Sequence, residues 1–108
     1  MRVKYVSVVK EYDRKVMKER YIIRASMDAD PPLLWFKQLQ LFWVSSPRLI
    51  KLCPEPQLKR NEIIVSIFNQ ESITDAINSL VRLINRMKTS YIIQDTPTFL
   101  LSIKEQTI

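Results

Sequence analysis

The stretch Asp30-Pro-Pro-Leu-Leu-Trp-Phe-Lys-Gln-Leu-Gln-Leu-Phe-Trp-Val44 holds both tryptophans and two of the four phenylalanines of a 108-residue chain. Prolines in a first helical turn cost nothing, because the N–H they lack has no partner there, and Asp30 before them is a good N-cap. The spacing therefore predicts a helix, ended by Ser45-Ser46-Pro47. At about 100° per residue, Trp35, Phe36, Leu39, Phe42 and Trp43 fill one arc roughly 120° wide, enough to cover a sheet. Leu33, Leu34, Leu41 and Val44 make a second apolar arc, relieved only by Lys37, Gln38 and Gln40. The first arc belongs to the core. The second needs a cover of its own, either a long loop or tail of this chain or another subunit or partner, since contiguous exposed apolar patches mark interfaces.

Segments that suit the role of sheet lie on both sides. Arg2 to Tyr12 is rich in β-branched and aromatic residues and is expected as a strand, followed by the polar turn Asp13-Arg14-Lys15 and a second strand from Arg20 to Met27. Beyond the helix, Leu49 to Cys53 is expected as a short strand and Pro54 to Asn61 as a loop. Glu62 to Phe68 is near-continuously apolar and suits a central strand. A second helix starts at Ser72, with Asp75 in a capping-box-like position, and runs to about Lys88. It places Ile73, Ala76, Ile77, Leu80, Val81, Leu83, Ile84 and Met87 on a single face. Tyr91 to Ile93 and Thr98 to Ile103 are expected as strands around Gln94-Asp-Thr-Pro97.

From Arg20 onward the order is strand, helix, strand, strand, helix, strand. This predicts an α+β fold of the ferredoxin-like type, an antiparallel sheet with two helices on one face, plus an extra N-terminal strand. A single domain spanning 1–108 is expected, with 1–19 as a basic N-terminal strand and turn and 20–103 as the α+β core.

Composition narrows the chemistry. The chain contains no glycine and no histidine. Phosphate-cradling loops need glycine where backbone closely approaches the ligand, so Walker-type and dinucleotide-type sites are excluded. Without histidine the commonest general base, metal ligand and partner of a nucleophile is gone. The single Cys53 cannot form an internal disulfide and is expected as a small core residue, and the location expected is cytoplasmic. The longest apolar stretch is too short and too interrupted to span a membrane. Asp28 and Asp30 are too few oxygens for a divalent cation. No cofactor, no metal and no membrane association are expected, and the chain is expected not to be an enzyme.

The net charge of +6 is uneven: residues 1–24 carry eight cations against three acids. Lys10, Arg14, Lys15, Lys18 and Arg20, with Tyr12 among them, are the nucleic-acid candidates, since aromatics interleaved with cations stack bases and neutralise phosphates. The bland account of the same pattern is a solvated edge strand guarded by lysines. The expectation that follows is a small binding or regulatory protein, acting as a homodimer or through a protein partner at Leu33, Leu34, Leu41 and Val44. Nucleic-acid binding is the alternative.

Overall fold

Two strands, β1 (Val3–Asp13) and β2 (Lys18–Met27), open the chain in the computed structural model, which describes residues 1–95. They form a hairpin, with a register shift between Val3 and Tyr5. Helix α1 (Leu33–Val44) follows, then a short helix α2 (Pro47–Leu52) and a second hairpin of β3 (Gln57–Lys59) and β4 (Glu62–Ile67). A 3₁₀ turn at Gln70–Ser72 leads into α3 (Ile73–Asp95). The strands form one antiparallel sheet in the order β1-β2-β4-β3.

Alternation along the central strands sorts the two faces of the sheet. Tyr21, Ile23, Ala25 and Met27 of β2 join Ile63, Val65 and Ile67 of β4 beneath the helices. Trp35, Phe36, Leu39 and Trp43 of α1 and Ala76, Leu80, Leu83, Ile84 and Met87 of α3 complete the core. At roughly 1.5–3 kcal/mol for each fully buried large apolar side chain, these residues supply most of the driving force for folding. The opposite face carries Ile22, Arg24, Ser26, Ile64 and Ser66.

The ferredoxin-like order is not what the described chain shows. The segment Leu49–Cys53 is not a strand. Ser46 caps α2 by accepting the Leu49 N–H at 3.3 Å, and Pro47 occupies its first turn, so Ser-Pro starts a helix as well as ending one. The strand that pairs with β4 lies instead at Gln57–Lys59, inside the segment expected as a loop. Tyr91 to Ile93 is helical, because no glycine or proline interrupts the chain between Ile73 and Asp95. The expected strand at Thr98–Ile103 lies outside the described residues. The edge beside β2 is taken by β1.

The start of α1 also differs from expectation. Pro32 stands at the N-cap with no side-chain cap, and Asp30 is exposed without a capping bond. Asp28 is the aspartate with a structural role. Its carboxylate accepts the Arg2 N–H at 3.1 Å, and its own N–H donates to the Arg2 carbonyl at 3.0 Å, which fastens the start of β1. That bond, aided by the nearby N-terminal charge, holds the Asp28 carboxyl below its ordinary range.

Without glycine, the turns impose left-handed backbone on residues that carry a Cβ. Met17 in the first hairpin (φ 58°) and Arg60 in the second (φ 59°) both take it. Such a conformation costs roughly 1–2 kcal/mol outside glycine, and here the paired strands hold it in place.

Candidate protein-interaction surface

Helix α1 presents two different faces. Trp35, Leu39 and Trp43 are essentially inaccessible, whereas Leu34 is 81 % exposed, Leu33 66 % and Leu41 62 %. Val44 is half-buried. On the helix surface Leu34 and Leu41 are only about 20° apart, and Phe42 lies about 80° further round toward the core. Phe42, expected in the core, is instead 38 % exposed. Leu33 and Val44 lie on the other flank of the stripe, toward Gln40, whose amide donates to the Pro56 carbonyl at 2.9 Å. The structure thus leaves Leu34 and Leu41 as the exposed centre of the stripe, with Phe42 on one flank and Leu33 and Val44 on the other.

Phe42 connects this stripe to a basic groove. A hollow of about 320 Å³ between the C-terminal end of α1, α2 and α3 is lined by Phe42, Ser46, Arg48, Ser79, Arg82 and Arg86, with Leu49 and Leu83 at its base. The Arg86 guanidinium lies 5.6 Å from the Phe42 ring centroid, within cation–π range. Arg48 is held in place. One of its nitrogens donates to both Asp75 carboxylate oxygens at 3.0 Å, and the other donates to the Ser79 hydroxyl at 3.1 Å. Arg82 and Arg86, four residues apart on one helix face, stay exposed. These arginines lay outside the sequence expectation; the i, i+4 spacing of Arg82 and Arg86 was the available signal, but only the fold brings Arg48 beside them.

The basic hairpin is arranged differently. Lys10 pairs with Glu19 at 3.6 Å, and Arg20 with Glu11 at 2.8 Å and Asp13 at 3.6 Å. The hydrogen bond that Arg20 donates to the Glu11 carboxylate raises the Arg20 pKa further, so Arg20 is a fixed cation already engaged. Register puts Lys10 and Tyr12 on the helix side of the sheet and Lys18 and Arg20 on the other. Arg14 and Lys15 sit in the turn, and with Lys18 they make no ion pair among the described residues. The candidate cations are split between two faces and partly neutralised. On the face away from the core Arg24 reaches Glu62 at 3.6 Å, and the Nε atoms of Arg20 and Arg24 are buried without a partner among the described residues.

A larger hollow of about 490 Å³ lies beside the turn end of this hairpin, between Lys18, Glu19 and Tyr21 on one side and Phe68, Asn69 and Gln70 on the other. It gathers one cation and one anion and no nucleophile. Cys53 is buried, donates its thiol to the Glu55 carbonyl at 3.3 Å, and lies away from both hollows. No group of three potential metal-binding side chains occurs among the described residues, and no described helix is long and apolar enough to cross a membrane. Comparison with protein-family models, with curated proteins and with solved structures gives no match for this chain.

Proposed function

We propose that this is a small non-catalytic binding protein whose docking surface is the Leu34–Leu41–Phe42 stripe together with the arginine-lined groove beside it. The observation that carries the reading is the exposure of Leu34 and Leu41 on a helix whose other face is wholly buried. A stripe of that kind, rimmed by polar side chains, is what an apolar partner face covers. Charge supplies the partner's character. Lys37, Arg48, Arg82 and Arg86 border the stripe, and Asp75 already engages Arg48. Two copies meeting through this patch would set the same cation-rich surface against itself. The partner is therefore a different protein, with apolar anchors flanked by carboxylates.

A photo-crosslinking residue placed at Leu34, in the cells that produce the protein, tests this. The expected outcome is a discrete adduct with one protein. Once purified, that protein binds the wild type in a salt-sensitive manner, and Leu41→Glu or the double variant Arg82→Glu with Arg86→Glu weakens binding tenfold or more. Adducts at Leu34 no different from those at a turn control, Lys15, would overturn the reading.

A further inference from the structure

We propose that the outer edge of β1 pairs with the same edge of a second copy, antiparallel and centred on Val8, joining two four-stranded sheets into one of eight. The inference is independent of the docking surface on α1. The two edges of the sheet differ. One edge is β3, three residues long, with Pro54 and Pro56 before it and Lys59 and Arg60 at its end. Short length, proline and lysine are the usual protections against edge-to-edge pairing. The other edge is β1, eleven residues long and free of proline, with its one irregularity confined to the start between Val3 and Tyr5. From Tyr5 to Val9 it carries no charge. Its exposed residues include Tyr5 at 58 %, Val8 at 41 % and Val9 at 46 %. Among the described residues nothing pairs with its outer side.

The occupant follows from the strand's own pattern. A two-fold axis normal to the sheet reverses strand direction and keeps each side chain on its face, so each residue opposes one of the same parity. Val8 is the midpoint of Val3–Asp13, and centring there pairs the regular stretch from Tyr5 to Glu11 with its copy. Val8 then opposes itself, Ser7 opposes Val9, Val6 opposes Lys10, and Tyr5 opposes Glu11. No like charges meet. Centring on Ser7 instead sets Lys4 opposite Lys10, which is unfavourable. The strand carries Lys4 and Lys10 against Glu11 and Asp13, so it is balanced where the α1 patch is strongly positive. Balance permits self-pairing at the edge, and excess charge directs the helix face to a foreign partner. The dimer so formed displays two copies of the α1 surface.

Sedimentation velocity on the full chain, from micromolar to millimolar concentration, is the first test. The expected species has twice the 12.8 kDa protomer mass. Val8→Lys, at an exposed position, sets two ammonium groups face to face and is expected to give a folded monomer with an unchanged far-UV circular dichroism spectrum. Leu34→Glu with Leu41→Glu is expected to keep the dimer. Oxidative crosslinking gives a readout that does not depend on tolerance of the lysine. Opposed residues in an antiparallel pair have Cα atoms roughly 4.5–5.5 Å apart, within disulfide reach, so Val8→Cys is expected to crosslink. Position 7 lies roughly 8 Å from its own copy across the axis, so Ser7→Cys is expected to stay monomeric on denaturing gels. A wild-type monomer at every concentration would overturn the proposal, whatever else occupies the edge. So would a dimer that survives Val8→Lys, or crosslinking at position 7 equal to that at position 8.

Discussion

Cys53 is buried at the end of α2, with its thiol on the Glu55 carbonyl and its own carbonyl accepting the Trp43 indole N–H at 2.8 Å. Burial pushes the thiol pKa above its ordinary value of 9.0, with smaller opposing effects from nearby backbone bonds. The thiolate is the reactive form, so Cys53 is expected to react with a disulfide reagent at pH 8 only as fast as the protein unfolds. Full reaction within the mixing time would show that the thiol is accessible. The same shift sets the sign of a pH dependence. The folded pKa is the higher one, so the contribution to stability is complete below pH 9.0 and is lost as pH rises through the folded value. Denaturant midpoints above and below that pH check it. A small residue in the core was legible from the sequence, because cysteine without histidine or a pairing cysteine behaves as a hydrophobe. Its role as acceptor for Trp43 was not, since that bond depends on where α2 ends.

At the scale of the element, α1 shows what periodicity reveals. Its buried arc is nearly the expected one, because every third or fourth residue is large and apolar. Phe42 is the exception: it sits at the border of the arc, where Arg86 covers its ring and solvent reaches the rest. The two leucine classes predict opposite costs. Leu39→Ala, at a fully buried position, is expected to cost about 2–5 kcal/mol, whereas Leu34→Ala is expected to change stability by about 0.5 kcal/mol or less. Urea unfolding of both variants decides; equal losses would mean that Leu34 is buried in the native protein. Helix α2 illustrates the limit of local reading. Leu49 to Cys53 is apolar enough for a strand, and only the cap bond from Ser46 and the packing of Leu49 favour the helix.

Across the whole molecule, pairing with β4 supports the β1–β2 hairpin only as far as Tyr21, which opposes Ile67. The pairs Glu11–Arg20, Tyr12–Glu19 and Asp13–Lys18 extend beyond the sheet as a two-stranded ribbon, steadied by the Arg20 and Lys10 ion pairs. Ribbons of two strands are marginal in water. Hydrogen exchange is therefore expected to be slowest at Ile22 to Ala25 and Ile63 to Val65, and at least a hundredfold faster at the strand-paired amides from Glu11 to Arg20. Uniform protection along the hairpin would mean that something else covers its tip. The edge proposal makes a further demand on the same measurement: protection of the β1 amides between Val6 and Lys10 should grow with protein concentration.

Some of this architecture was set by the chain alone. Without glycine and histidine the chain has neither a glycine-rich phosphate loop nor an imidazole, whatever the fold. Apolar, β-branched runs mark β2 and β4, and the 3.6-residue period marks the buried faces of α1 and α3, because each pattern is local. Tertiary structure decided what depends on distant neighbours. Leu49 to Cys53 became helix through its cap and the packing of Leu49. Position beside β2 went to β1 because a hairpin brings its strands together at little entropic cost. The same long-range contacts gather Arg48, Arg82 and Arg86 beside Phe42, and so give the exposed leucine stripe of α1 a charged border.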